Sequence, residues 1–240
     1  MTISIIVPVY NAASYITQCL ESLVRQKQRL QIIVVDDGST DDSLAIVRQL
    51  ATKYPNSGIE VYEQAHAGQA VARNLGLEHA KSEYIAFVDA DDYLSDNWIE
   101  EHLAAIEDVD YVQSGYQRVD GNKKLIGKPK LPLFLQQFTS ACMRLYRRQT
   151  IEKIRFREGY IYEDVLFSMD LWLSGAKGKI IPFIGYFYTL NPQSTTSRPN
   201  LEDRSRLFEA LHQRAKTADI KGKCIIYYTC LRLRLHYLTL

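Results

Sequence analysis

Long apolar runs are missing from this 240-residue chain: none approaches the roughly 20 residues that a membrane span requires. An excess of one charge is missing too. Twenty-nine Lys and Arg stand against 28 Asp and Glu, a formal net charge of +1, which argues against a dedicated nucleic-acid binder. Cysteine is scarce. Cys19, Cys142, Cys224 and Cys230 are too few and too scattered for a disulfide framework, and no Cys-x-x-Cys pair occurs. Buried thiols in a reducing compartment are the expectation. Glycine-rich phosphate loops are absent as well. Neither Gly-x-Gly-x-x-Gly nor Gly-x-x-x-x-Gly-Lys-Ser/Thr is found, so a dinucleotide-binding Rossmann domain and a P-loop NTPase both lack support. No charged segment precedes the apolar N-terminal residues, so no secretory leader is expected and the default compartment is the cytoplasm.

What is present suffices for a core. Hydrophobic residues make up 46% of the chain and charged residues 24%, which excludes disorder. The near-neutral total hides an asymmetry: residues 201–240 hold eight basic side chains against four acidic ones, so the rest of the chain is net acidic.

Strand and helix signals alternate through the first hundred residues. Residues 3–9 form an apolar, β-branched run, the mark of a strand buried on both faces. Asn11 then offers a helix N-cap, and Ile16, Leu20 and Val24 form a helical stripe. Residues 30–35 repeat the strand pattern and end in Asp36-Asp37-Gly38-Ser39-Thr40, before a helix marked by Leu44, Val47 and Ala51. Residues 59–62 read as a third strand and 71–80 as a helix entered through Gly68. A fourth strand, 84–88, stops at Asp89-Ala90-Asp91-Asp92, with a helix after Asp96. Repeated β-α-β units predict an α/β fold whose parallel sheet is covered by helices on both faces.

Beyond residue 108 the rhythm changes. Segments 111–119 and 123–126 flank Asp120-Gly121 as a hairpin, and Pro129 and Pro132 mark a linker. Helical spacing runs over 138–153 and 163–174, while 180–190 resembles a strand broken at Pro182. Residues 191–200 have loop composition, and the tail reads as two helices meeting near Gly222.

The acids carry the chemical signal. Open α/β sheets bind ligands at the carboxyl ends of their strands. Strand two delivers Asp36 and Asp37 there, and strand four delivers Asp89, Asp91 and Asp92. Such a cluster repels itself unless a cation neutralises it or one acid holds a proton. Mg²⁺ or Mn²⁺, hard ions that keep positions open for phosphate oxygens, are the economical cation. One acidic turn alone is ordinary turn chemistry; two aligned on one sheet edge favour a site. With no glycine-rich loop, phosphate is left to metal and arginine, and Arg73 is the candidate, against the plain alternative of a solvated helix face.

These residues resemble the family 2 glycosyltransferases. The matching segments are Val7-Pro8-Val9-Tyr10-Asn11, Val35-Asp36-Asp37-Gly38-Ser39, Ala72-Arg73-Asn74-Leu75-Gly76, Val88-Asp89-Ala90-Asp91-Asp92 and Glu163-Asp164, in the family's order and spacing. The resemblance implies a GT-A fold, a Rossmann-like mixed sheet flanked by helices, here with a C-terminal helical appendage. It divides the chain into a nucleotide-sugar-binding half (1–108), an acceptor-binding half of the same domain (109–200) and a tail (201–240). By the resemblance, Pro8, Tyr10 and Asn11 pack around the nucleotide and Asp37 binds its base, where a carboxylate accepting an imide N–H favours UDP. Asp89 contacts ribose and donor sugar, and Asp91 holds the metal that bridges the phosphates. Asp164 is the base that activates the acceptor hydroxyl, Glu163 orients the site, and transfer inverts the anomeric centre.

The chemistry agrees with those assignments. Breaking a glycosyl–phosphate bond leaves a nucleoside diphosphate whose charge needs a divalent Lewis acid, and the acceptor hydroxyl needs a base within about 3 Å. The expected activity is metal-assisted transfer of one sugar, in bacterial surface polysaccharide synthesis, to a glycan or lipid-linked glycan. The Gln-x-x-Arg-Trp sequence of processive synthases is absent. Ser194, Thr195, Thr196, Ser197 and Arg198 fall where relatives carry a mobile donor-covering segment, and Tyr111, Tyr116, Tyr160, Tyr162 and Trp172 offer faces for sugars or for the core. The basic tail suits the inner face of a membrane, packing on the catalytic domain, or a homodimer contact. Two rivals remain. A haloacid-dehalogenase-like phosphatase shares a strand ending in Asp-x-Asp, but opens with that motif and has Thr or Val where Tyr93 stands. A non-catalytic sugar-nucleotide-binding protein is the other, and the full set of acids counts against it.

Overall fold

The computed structural model describes residues 3–120, 124–134, 139–192 and 201–238, with side chains through 233 in the last segment. The apolar run at the N-terminus is β1 (Ile3–Val9), buried along its whole length. It lies parallel to β2 (Leu30–Asp36) on one side and β4 (Tyr84–Phe87) on the other, and β3 (Ile59–Glu63) extends the parallel half beyond β2. The crossovers are α1 (Ile16–Val24), α2 (Ser43–Lys53) and α3 (Gln69–His79).

The sheet continues past β4 through β8 (Arg144–Arg147), β6 (Tyr111–Val119), β9 (Gly178–Thr189) and the short β5 (Tyr93–Leu94). The nine strands run in the order β3-β2-β1-β4-β8-β6-β9-β5, with β7 (Leu125–Lys130) paired to β6. The remaining helices are α4 (Trp98–Leu103), α5 (Arg148–Ile151), α6 (Glu163–Leu173), α7 (Leu201–Thr217) and α8 (Ile220–Leu238). The result is an α/β sheet flanked by helices: its parallel half is what the alternation of signals predicts, and its mixed character is what the resemblance implies.

Five local expectations fail, one of them the linker at Pro129, which lies instead inside β7 where that strand pairs only with β6. The helical spacing over 138–153 gives way to strand β8, which pairs antiparallel with β4 (Tyr84↔Arg147) and with β6 (Val112↔Leu145). A slot between two open strand edges outweighs local periodicity. Arg144 opens this strand. Its guanidinium is fully buried, donating to Gln113 and Ser168 and lying 5.7 and 5.6 Å from the Tyr111 and Trp172 rings. Pro182 does not break β9, because it falls in the bulge where residues 180 to 184 of β9 oppose only Gln113 to Gly115 of β6. Asn11 caps no helix, since α1 begins at Ile16. Gly222 lies inside α8; the break is at Ala218-Asp219, where Asp219 accepts the Gly222 N–H at 2.7 Å.

The tail packs on the catalytic fold through Leu207, Leu211, Ala215, Ile226 and Leu233, against α6. Ile220, Tyr227 and Leu231 stay exposed. No helix among the described residues is long and apolar enough to cross a membrane. Of the four cysteines, three are buried and Cys224 is exposed.

Gly76 shows how closely α3 lies on the sheet. A β-carbon there would come within 2.4 Å of Ile6 Cγ2, in the middle of the most buried strand. Gly76→Ala therefore destabilises the protein by about 1–3 kcal/mol, an overpacking cost that outweighs the gain of about 1 kcal/mol in helix propensity. Denaturant titration checks the sign; a more stable variant would refute the close approach.

Candidate active site

The carboxyl ends of β1, β2 and β4 meet, as the parallel register requires, and bring three loops together. The first follows β1, in which Pro8 is buried opposite Val35. Tyr10 is 47% exposed, and Asn11 adopts a left-handed backbone at φ 49°. Asn11 ties this loop to the next: its Oδ1 accepts the Thr40 N–H at 2.8 Å, and its own N–H donates to Ser39 Oγ at 3.1 Å.

Asp37 is the most heavily bonded acid of the edge. Oδ1 accepts from Gln64 Nε2 at 2.6 Å and the Ala67 N–H at 2.8 Å, and Oδ2 accepts the Gly68 N–H at 2.9 Å. His66 Nδ1 lies 2.9 Å from Oδ2 and 3.1 Å from the Asp37 carbonyl oxygen, so this nitrogen carries the proton. The His66 ring stacks on Tyr10 with centroids 4.1 Å apart. Asp36 points elsewhere: one oxygen accepts the Ser39 N–H at 3.0 Å, and the other is buried without a partner.

Beyond β4 the acids diverge in role. Asp92 is locked into the fold, accepting from Tyr186 Oη at 2.6 Å and the Thr189 N–H at 2.8 Å. Burial, then the charges of Asp91 and Asp89, push its carboxyl well above the usual range. Asp89 accepts from Arg73 at 2.7 Å and from Gln69 Nε2 at 3.0 Å. Arg73 reaches Glu163 Oε1 with its other terminal nitrogen at 2.5 Å, so one buried guanidinium links the end of β4 to the start of α6. It rests 5.1 Å above the Phe156 ring, which with Phe87 and Phe167 makes an apolar floor. Arg73 is thus neither on a solvated helix face nor unpaired; it neutralises acids from inside.

Asp91 is left with a side-chain amide, Asn191 Nδ2 at 3.1 Å, and no cation among the described residues. Burial and then the Asp89 charge raise its carboxyl to about 6. No group of three or more potential protein ligands for a metal occurs among the described residues. A single uncompensated carboxylate nonetheless fits magnesium-type ions, which are held by one or two carboxylates plus substrate phosphates. Asp164 opens α6 beside Glu163 and is half-buried; its Oδ1 accepts the Val165 N–H at 2.8 Å. Burial raises it to about 6, with Arg73 opposing.

The sequence profile of glycosyl transferase family 2 matches residues 4–163. The chain belongs to glycosyl transferase family 2. Among relatives of this family, the YibD glycosyltransferase of Escherichia coli is 31% identical over 218 residues, covering 81% of this chain and 63% of YibD. TarS of Staphylococcus aureus, a poly(ribitol-phosphate) β-N-acetylglucosaminyltransferase, is 30% identical over 203 residues, 78% of this chain and 35% of TarS. A crystal structure of S. aureus TarS with UDP-GlcNAc superposes with a TM-score of 0.79 at 26% identity, over 97% of this chain and 72% of that one. The chain therefore shares the GT-A fold of these family 2 enzymes, and it spans less than two thirds of the length of the curated relatives named here.

Gln64, His66, Tyr186 and Asn191 are the site residues that motif reading missed. Each acts by holding an acid, and only the position of Asn191 just after a strand end hinted at a role. Ser194 to Arg198 lie outside the described residues. Of the aromatics considered for sugars, Tyr111, Tyr162 and Trp172 belong to the core, while Tyr116 and Tyr160 are half-buried.

Proposed function

We propose that this family 2 enzyme transfers one sugar from a UDP-sugar to an acceptor hydroxyl with inversion, assisted by Mg²⁺ or Mn²⁺. One observation carries the reading: Asp37, Asp89 and Asp92 are satisfied by the protein and Asp36 is buried in the fold, while Asp91 has no cation and Asp164, at the start of α6, retains an oxygen without a described partner. These two mark a charge-binding point and a base. Asp91 would hold the metal, which supplies Lewis-acid stabilisation of the departing diphosphate. Asp89, held by Arg73, would accept from ribose or sugar hydroxyls. Asp164 takes the acceptor proton, and attack by a hydroxyl activated by one base inverts the centre.

Tyr10 and Asp37 form the base site in this reading, and His66 stands in for the base. A carboxylate offers about four lone-pair positions, and Asp37 uses four. A uracil imide N–H enters when His66 leaves, since its side chain is 56% exposed while the Ala67 and Gly68 donors are backbone. His66→Ala therefore binds UDP about 3- to 10-fold tighter, because no internal ligand must be displaced. Calorimetry decides; weaker binding would make His66 a support for the base.

The same titration tests the whole proposal. Wild-type protein binds UDP at least about 10-fold tighter with Mn²⁺ than without, and Asp91→Asn removes that difference, since its amide cannot replace a carboxylate ligand. Metal-independent UDP binding, or none, would overturn the reading. A phosphatase mechanism, the rival class, predicts phosphate binding without the nucleoside.

A further inference from the structure

A pair of adjoining cavities lies where the segment before α6 meets α7. One hollow of about 500 Å³ is lined by Arg157, Tyr160, Arg206, Glu209 and Arg214, among others. A neighbouring hollow of about 560 Å³ shares Arg157 and Tyr160 with it and reaches Asn74 on α3. The three arginines of the first hollow are not equivalent. Arg214 is neutralised by Asp170, which it grips with two donors at 2.6 and 2.8 Å. Arg206 and Arg157 form no ion pair with a carboxylate among the described residues. Glu209 is the one acid among the residues lining this hollow.

Of these two guanidiniums, Arg206 lies against an aromatic face and Arg157 lines the same hollow. Arg206 lies 5.1 Å from the Tyr160 ring, a contact that holds the side chain over the hollow. Gly159, at φ +73°, turns the chain between Arg157 and Tyr160 and leaves bare backbone beside Arg206, whose Nη2 would be 3.6 Å from a β-carbon at that position. The segment is anchored. Asn74, the residue after Arg73, bonds Phe156 in both directions at 2.9 Å. The loop bearing Arg157 and Tyr160 thus starts at the Arg73 clamp and ends, four residues after Tyr160, at Asp164.

Guanidiniums recognise phosphate with paired, charge-assisted donors, and an aromatic face suits the C–H surface of a sugar or polyol. We propose that this groove binds a phosphate group of the acceptor, so that the acceptor class is a phosphate-bearing polyol or glycan, with Arg157 and Arg206 on the phosphate and Tyr160 on the carbon chain. The inference rests on the assignment of Asp164 as the base, because that assignment turns a groove on the adjoining loop into an acceptor subsite. The phosphate arises from one of two sources, a phosphodiester-linked polyol chain or the diphosphate of a lipid carrier, and the chemistry of the site is common to both.

The test measures binding to the full chain of a glycerol-phosphate oligomer, of the same oligomer dephosphorylated to free glycerol, and of vesicles carrying a prenyl diphosphate. The proteins are wild type, Arg157→Gln, Arg206→Gln and the double variant, each titrated separately with UDP and Mn²⁺. Wild-type protein binds at least one phosphate probe and not glycerol, and the double variant loses at least about 10-fold of that affinity with UDP binding unchanged. The probe that binds identifies the source. Equal binding by wild type and the double variant, or binding of neither phosphate probe, overturns the proposal. Loss of UDP binding by all four proteins refutes the donor reading instead, and leaves the phosphate-probe comparison to be scored on its own. Because Arg157 and Arg206 are exposed, both substitutions leave the core untouched, and an unchanged UDP titration confirms a folded variant.

Discussion

Asp164→Asn leaves UDP binding intact and lowers sugar transfer by about 10²–10⁴-fold, the usual contribution of a general base. The amide keeps the shape of the side chain and can still accept the Val165 N–H that now bonds Oδ1. It cannot take a proton from a hydroxyl. The surroundings of the acid also suit it to act as a base near neutral pH. Burial raises it to about 6, Arg73 opposes that rise, and the Asp89 charge adds to it. Transfer by the wild-type enzyme therefore climbs as pH passes about 6 and levels off above it, because only the carboxylate is a base.

Stability runs the other way. The folded-state value stands above the ordinary 3.8, so the fold favours the protonated form. The stability this group contributes is complete below the ordinary value and is lost as pH rises through about 6. Asp164→Asn removes that loss, and the variant is at least as stable as wild type at pH 8. Paired pH–rate and pH–stability curves for the two proteins are the measurement. Unchanged turnover, or a variant that keeps the rise near pH 6, would reject Asp164 as the base.

Arg73→Met destabilises the protein by about 3–5 kcal/mol, the range for removing one partner of a buried ion pair. Its guanidinium is 3% exposed, joins Asp89 to Glu163, and sits on aromatic rings that offer no other donor. Removing it strands Glu163, a buried carboxylate, and frees Asp89 from its register with α6. Most of the cost is the unpaired acid rather than the lost attraction. The double variant Arg73→Met/Glu163→Gln is therefore more stable than Arg73→Met alone. Arg73→Lys recovers only part of the stability, since a single ammonium lacks the fork that spans two carboxylates. Denaturant unfolding of these variants, with Glu163→Gln alone to complete the cycle, checks this. A cost under about 1 kcal/mol for Arg73→Met, or additive effects in the double variant, would show that the clamp carries no weight.

The parallel half of the fold was legible because its information is local. A strand buried on both faces has to be apolar throughout, as residues 3–9 are, and turn residues at each strand end say where it stops. The antiparallel half was not. Residues 144–147 are a strand because β4 and β6 leave an opening there, a fact held in residues more than thirty positions away. Likewise, Arg73 read as a phosphate ligand or a solvated helix face, and it is buried between acids from distant parts of the chain.

For the site, the sequence by itself determined which acids reach the ligand edge, since strand ends and turns are local events and three of the five motif segments lie on them, the other two falling in α3 and at the start of α6. Tertiary structure alone decided what each acid is available for. Asp37, Asp89 and Asp92 look alike in sequence, yet one is held by backbone N–H groups, one by an internal arginine and one by a tyrosine from β9. The physical reason is that a carboxylate's chemistry depends on the donors and cations within a few ångströms, and those come from segments far apart along the chain.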